Sequence, residues 1–586
     1  MAPKDLSIGS SSPSDSIPDT PSSATTTTID HDNRLQGWAL MKAVAALNVI
    51  NGVAFFDIMG SPSLTPTLAQ DTGLGRDISY ATTAALVMAV VGQCIFNYFS
   101  DFLGRKIPLV LATAFLGVGA LGTAFCNFEH NLGMLVVFRG FAGLGFGSIS
   151  GLVNILQSDY LDKERRQIYQ GFQGVSVAAG SALGMIMAAV FSELVAGRGM
   201  WQYFYYTQVG LNAIAFVLAL SCVPAKHRVQ HCWMEAGGWR GLVRLIDWIG
   251  IIFGILAIVP VLILATQGRD MKKDSAILST CVVLLVVGTV VFWLNGYYGP
   301  VRGARPIMPF KFFRNRTIPA IYMQNILLGF AYNTLITYMP MYLTFVRQLT
   351  MMCTALFMLS YVCTHGACST TSARLVVLLE RKGIPGYTVV AFVGFSCWMV
   401  ALVIFAFVFG LSDPVICFLL ALTAVGTGKV FQNAVNAIRN EVHASENATA
   451  LGARNVLRYF GGALGTAVNS SVLEKCVKAT LKGSLATFAE HPFDRPDKKH
   501  LTTAQSTEVT EGFRCAFQRV FLLSAVAITI ATVLCFLLIK PRAKTQVLEV
   551  SSKTTCSRTS SSGTSLGTDI EKQSLEEGHR DSSSSD

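Results

Sequence analysis

Apolar stretches of about 20 residues recur along this chain, separated by short breaks of charge, proline or glycine, and no other feature restricts its fold as tightly. A helix of that length rises about 30 Å, enough to cross the hydrocarbon core of a bilayer. Lipid offers backbone N–H and C=O groups no partners, so each crossing segment must satisfy its own, as an α-helix does. The runs predict fourteen helices, near 40–62, 80–100, 107–127, 132–156, 168–192, 202–223, 246–267, 276–297, 317–345, 352–379, 387–409, 415–438, 448–474 and 517–539. Only 14% of the 586 residues are charged, against about 25% in soluble domains. The expected class is an all-α polytopic membrane protein with the lipid bilayer as its solvent; a soluble enzyme is disfavoured, and no catalytic constellation stands out.

A net charge of +11 in a soluble protein would suggest nucleic acid. Here the basic residues sit in short loops, where a positive-inside orientation accounts for them without a nucleic-acid partner. With a cytosolic N-terminus, the cytosolic loops hold Arg105, Lys106, Arg165, Arg166, Arg314, Arg316, Arg381 and Lys382 among others. The opposite loops before helix 13 hold only Arg76, Arg198, Arg269, Lys272, Lys273 and Arg347. Both termini are then cytosolic, in the cell membrane or alternatively the vacuolar membrane. Residues 1–37 are polar, with no signal-peptide core, so the first helix is expected to act as its own insertion signal. That segment and the Ser-rich stretch 541–586 read as disordered cytosolic tails.

The 14 cysteines lie mostly within predicted helices, without CxxC spacing or nearby histidine pairs, so neither a metal site nor a disulfide framework is expected. Cys476 and Cys515 stand apart, at the ends of a longer outer loop, 476–515. They form a disulfide in an oxidising compartment or remain two unpaired thiols at helix ends.

Within the fourth helix, Phe138–Gly151 reads FRGFAGLGFGSISG. An arginine at membrane depth is a functional-site hypothesis by default. Steps of four residues from Arg139 reach Gly143, Gly147 and Gly151, so the charge and a glycine groove share one stripe that a neighbouring helix can approach closely. Between helices 2 and 3, Ser100-Asp101-Phe102-Leu103-Gly104-Arg105-Lys106 forms a tight turn. Its acid can accept hydrogen bonds while its bases pair across to another helix, making a gating latch at the inner surface; an ordinary positive-inside loop is the plainer reading.

This turn resembles the loop 2–3 pattern of the major facilitator superfamily, Gly-x3-Asp-Arg/Lys-x-Gly-Arg-Arg/Lys, at Asp101, Gly104, Arg105 and Lys106, with Asn97 and Phe102 departing from it. The resemblance extends over nearly all of 38–540. The helix count and the runs Trp201-Gln202-Tyr203-Phe204-Tyr205, Asp247-Trp248-Ile249-Gly250 and Arg305-Pro306-Ile307-Met308-Pro309 are similar to the drug:proton antiporter-2 branch. The resemblance implies two six-helix bundles, 38–224 and 301–540, with two additional transmembrane helices in 225–300. It also implies a transporter, expected as a monomer, that needs no cofactor beyond a proton gradient.

Phe56-Asp57, followed by Pro66, has the spacing of the branch's Leu-Asp-x8-Pro signature. The resemblance implies that Asp57, expected toward the outer part of the bundle, loads and releases a proton; a structural Asp at a helix end is the alternative. Arg139 matches the arginine of Arg-x2-Gln-Gly-x-Gly, although Ala142 replaces the glutamine. By resemblance it is a fixed cation whose partner changes with protonation, and otherwise a structural arginine capped by helix carbonyls. In helix 5, Gly171-x8-Gly180-x3-Gly184 follows the antiporter motif, with Met185 in place of proline and Ala188-Ala189 in place of a glycine pair. Gly180, Gly184 and Ala188 still make a stripe for close packing.

A mid-helix lysine costs about 2.5 to 3.5 kcal/mol unless paired or wetted. Lys429 is therefore expected to face a central cavity with Asn433, binding an anionic group or pairing with an acid, or else to snorkel to the interface. Helix 9 offers Asn325, Tyr332 and Asn333 among aromatics suited to a bulky, mostly apolar solute. Together these features predict a secondary active transporter exporting an amphipathic organic compound such as a fungal toxin, secondary metabolite or drug. The alternatives are a vacuolar transporter of basic amino acids, which Arg165-Arg166-Gln167-Ile168-Tyr169-Gln170-Gly171 also resembles, and a non-transporting membrane sensor signalling through the serine-rich tail.

Overall fold

The computed structural model describes residues 35, 37–74, 77–125, 132–161, 163–194, 200–224, 246–267, 275–299, 306–314, 316–408, 410–442, 446–482, 485, 486, 488, 492–496 and 501–537. The chain divides into Met1–Lys540, which holds every described element, and Pro541–Asp586. The segments read as disordered tails lie almost wholly outside the described residues.

The described α-helices are α1 Gly37–Thr72, α2 Ile78–Ser100, α3 Lys106–Phe125, α4 Leu132–Tyr160, α5 Lys163–Ala189, α6 Gln202–Ser221, α7 Trp248–Gln267, α8 Ser275–Tyr298, α9 Thr317–Phe345, α10 Met351–Arg381, α11 Gly386–Phe407, α12 Asp413–Glu441, α13 Asn447–Thr480 and α14 Thr503–Leu537. A π-helical turn, Val190–Leu194, continues α5. Among the described residues, thirteen helices are long and apolar enough to cross a membrane. The other, α13, carries Arg454, Arg458 and Asn469 along its length.

In the first half α1 packs on α4, α5 and α6, α2 on α4, and α3 on α4 and α6. In the second, α9 packs on α12, α13 and α14, α10 on α12, and α11 on α12 and α14. Each helix of the second half thus repeats the partners of the helix eight places before it. The halves meet along α2–α13 and α5–α10, two contacts that exchange under the same correspondence. The extra helices α7 and α8 pack on each other.

The closest approaches follow the small residues, because helices in lipid associate through packing rather than through a hydrophobic drive. A Cβ at Gly143 would stand 2.1 Å from the Ala85 carbonyl oxygen, and one at Gly147 2.5 Å from Ala89 Cα, so this stripe is the seat of α2. Gly180 and Gly184 seat α1 in the same way, 2.0 Å from the Gly52 oxygen and 2.3 Å from the Phe56 oxygen. Gly461 and Gly465 of α13 repeat this against α9. Ala142 is fully buried with its backbone nitrogen 2.3 Å from a Cβ at Gly119, so the departure from glutamine stands where α3 and α4 are in contact.

Several expected boundaries shift. α1 continues through Pro62 and Pro66, a disruption that membrane helices tolerate when hydroxyls engage nearby carbonyls. Ser63 donates to the Met59 oxygen at 3.0 Å and Thr65 to the Ser61 oxygen at 3.3 Å. Asp57 therefore lies at mid-helix, not at an end. α12 runs to Glu441, keeping Lys429 well inside it. α13 and α14 extend past their apolar runs, helped by a Glu474–Lys478 pair at 2.6 Å, so the expected 476–515 loop shrinks to 481–502. Cys476 and Cys515 lie within helices and are free. The disulfide is not formed; Cys476 Sγ instead accepts from Arg519 Nη1 at 3.2 Å.

Candidate functional site

α1 and α4 meet at one buried ion pair. Arg139 Nη1 donates to Asp57 Oδ1 at 2.9 Å and Nη2 to Asp57 Oδ2 at 3.2 Å, a two-pronged contact between residues 6% and 0% exposed. The guanidinium also lies 5.8 Å from the ring centroid of Tyr205 on α6, whose hydroxyl meets Ser61 Oγ at 3.0 Å. Phe56 stacks on Phe204 at 4.9 Å and closes the cluster beside Asp57. Each charge alone is costly in lipid, and pairing offsets much of that cost. Protonation has a one-sided effect on such a pair. A carboxylate can lose its charge by accepting a proton, whereas the guanidinium keeps its own, so loading Asp57 would release Arg139 to seek another acceptor.

The pair lies in the wall of a small cavity of about 30 Å³ between the two halves. Asp57, Arg139, Leu86 and Phe146 line one side, and Tyr332, Asn333, Arg458 and Tyr459 the other. The structure thus gathers Asp57, Arg139, Tyr332 and Asn333 around one cavity. Asn325 is not among the lining residues and donates to its own helix at the Ile321 oxygen, 2.7 Å away. Lys429 and Asn433 are also elsewhere. Lys429 is half-buried against α11, with its Cβ 3.2 Å from a Cβ position at Gly394, and Asn433 donates to the Lys429 oxygen at 2.6 Å.

Arg458 is not among the residues that the sequence motifs single out. The available signal was Arg454 and Arg458, one helical turn apart inside a predicted span. Arg454 is bonded to Asn455 Oδ1 at 2.9 Å and the Phe431 oxygen at 2.8 Å.

In the α2–α3 turn Arg105 bridges two acids. Arg105 donates to Asp101 Oδ1 at 2.5 Å, Ser100 Oγ at 2.7 Å and, across to the end of α4, Asp159 Oδ2 at 3.0 Å. Burial alone would lower the Arg105 pKa; the Asp101 and Asp159 carboxylates outweigh it and hold the pKa above its ordinary value. Gly104, at φ 81, occupies the left-handed region that makes the turn. Lys106 donates to the Leu220 oxygen at 2.7 Å, while Phe102, in place of a base, is buried against Tyr98. Arg105→Gln should lower stability by about 1–3 kcal/mol. Arg105→Lys should recover less than half of that, because an ammonium lacks the planar fork that bridges two acids. Thermal unfolding of the purified variants measures both.

At the opposite face Glu193 ties the halves together. Its carboxylate accepts from the backbone N–H groups of Met351 and, at 3.2 Å, Met352, capping the start of α10, with Arg495 Nη1 3.9 Å away.

A family model described as Major Facilitator Superfamily matches residues 47–466. Citrate exporter 1 of Yarrowia lipolytica is 27% identical over 480 residues, covering 80% of this chain and 68% of that one. Multidrug resistance protein fnx1 of Schizosaccharomyces pombe is 24% identical, covering 75% and 78%. Vacuolar basic amino acid transporter 2 of Saccharomyces cerevisiae is 23% identical, covering 80% and 99%. Among solved structures, the xylose transporter XylE from E. coli in a partially occluded inward-open conformation aligns with a TM-score of 0.52 at 12% identity, over 84% of this chain and 97% of that one.

Proposed function

Because the chain belongs to the Major Facilitator Superfamily, we propose that it is a proton-coupled secondary transporter that exports an amphipathic organic compound by alternating access. The observation that carries this reading is the fully buried Asp57–Arg139 pair in the wall of the cavity between the two repeated halves. Rocking of the halves about their α2–α13 and α5–α10 contacts would open the cavity to one face and then the other. Protonation of Asp57 from one side and its release on the other would tie that motion to the proton gradient.

One inward proton supplies about 2.3 kcal/mol per 100 mV and about 1.4 kcal/mol per pH unit. At 100 mV and one pH unit this supports a neutral-solute gradient of about a few hundredfold. The names of relatives that export citrate or confer drug resistance support outward transport. The cell membrane, with both termini cytosolic, is the location that fits export. A vacuolar carrier of basic amino acids fits less well, since Arg458 gives the cavity a surplus positive charge.

The reading is tested with full-length protein in sealed vesicles. Uptake of candidate compounds should require an imposed pH gradient and stop on adding a protonophore. Deleting 541–586 should leave that flux intact. Flux indifferent to the protonophore would contradict coupling, and output lost with the tail while flux is absent would favour a sensor.

A further inference from the structure

Among the described residues lining the cavity there is one carboxylate, Asp57, and it is already engaged by Arg139. A second guanidinium, Arg458, enters from the opposite wall. It is 5% exposed, and no hydroxyl, carbonyl or carboxylate among the described residues accepts a hydrogen bond from it; its Nε is sealed and unpaired. Among the described residues aromatic faces hold it, with Tyr459 4.4 Å and Phe431 5.2 Å from its central carbon to their ring centroids. The Tyr459 hydroxyl, in the same lining, is likewise buried without a partner. One turn away, Arg454 is 3% exposed and bonded only to neutral oxygens, and Arg439 and Arg458 both lie close enough to repel it.

A desolvated cation is tolerated where a partner of opposite charge completes it. Arg139 has such a partner in Asp57, and Arg458 has none among the described residues. A planar guanidinium offers parallel N–H donors that match a carboxylate in two-pronged fashion, and the adjacent phenol supplies another donor.

From this geometry we propose that Arg458 and Tyr459 form a carboxylate-binding subsite in the cavity, with Arg454 reinforcing its positive field, so that the cargo is an organic acid in its anionic form. Tyr332 and Phe146 would then face the apolar remainder of the molecule. Asn333 stands beside the subsite, its Nδ2 bonded to the Gly329 oxygen at 3.3 Å and free to add a second donor. This proposal rests on the transport reading for its physiological meaning, but binding itself needs neither a gradient nor transport.

The test is equilibrium binding to full-length protein in lipid nanodiscs at zero gradient, read by ligand-induced thermal stabilisation. The probes are citrate, benzoate and decanoate, the neutral methyl esters of each, and inorganic phosphate. At least one carboxylate should bind the wild type, and its ester should bind about tenfold or more weakly, as expected for loss of charge-assisted hydrogen bonds. Arg458→Gln should weaken that carboxylate by a similar factor while leaving the ester unaffected. Arg458→Lys should restore part of the loss and Tyr459→Phe should cause a smaller one.

Arg458→Lys and Tyr459→Phe also preserve bulk, so a folding failure of Arg458→Gln would not end the test. Equal binding of acid and ester, wild-type affinity in the Arg458 variants, no carboxylate binding at all, or phosphate binding as tightly as the best carboxylate would each overturn the proposal. Binding with uncoupled flux would instead fault only the coupling reading.

Discussion

Asp57→Asn should abolish proton-driven flux while preserving exchange of substrate for substrate. The asparagine amide keeps nearly the shape of the carboxylate and can still accept a hydrogen bond from Arg139, but it neither binds nor releases a proton in this range. The variant should also be less stable by about 3–5 kcal/mol, because it leaves a buried guanidinium without its counter-charge. Arg139→Gln should be milder, since an unpaired carboxyl can take up a proton and become neutral. The double variant Asp57→Asn/Arg139→Gln should be more stable than Asp57→Asn alone and remain uncoupled. Thermal unfolding of the set, alongside flux with and without a gradient, separates the pair's structural contribution from its role in coupling.

The largest structural effect is expected at Gly184. A Cβ there would sit 2.3 Å from the Phe56 carbonyl oxygen, which is backbone and cannot rotate aside. A leucine would push α1 away from α5 and carry Asp57 out of register with Arg139. Overpacking in a soluble core costs about 1–3 kcal/mol; here two backbones are forced apart, so the loss should exceed that range, and little folded Gly184→Leu protein should be recovered. Gly184→Ala should fold less stably and retain part of its coupled flux. Detergent-solubilised yield and unfolding midpoint measure the first effect, and gradient-driven uptake the second. Normal yield and coupling in Gly184→Leu would show that the α1–α5 seat does not position the pair.

The fold was legible because its main determinants are periodic: apolar length sets each crossing helix, and the four-residue steps of Gly143–Gly147 and Gly180–Gly184 set close helix contacts. Asp57 and Arg139 were legible because isolated charges stand out against an apolar run. Helix ends were less so. Pro62 looks like a terminus in sequence, but α1 continues through it, and α13 and α14 extend along polar residues that hydropathy excludes.

The facing of individual side chains was the least legible feature. Lys429 and Arg458 are both cations inside predicted spans, and nothing local distinguishes the one against α11 from the one lining the cavity. That difference arises from how α12 and α13 rotate when packed on α10 and α9, a tertiary property. Cys476 and Cys515 show the same limit: spacing allowed a bridge, and helix extension left both thiols free.

If the cargo is an anion, an inside-negative potential assists its exit, adding about 2.3 kcal/mol per charge per 100 mV to the proton's contribution. The central claim, however, is that Asp57 carries the coupling proton. Its most direct measurement is the lumenal pH change on adding the most tightly bound carboxylate to sealed vesicles containing a pH-sensitive dye and purified protein. Wild-type protein should move protons opposite to the substrate, in fixed ratio, and Asp57→Asn should exchange labelled substrate without any pH change. Proton movement at the wild-type ratio in Asp57→Asn would contradict the account.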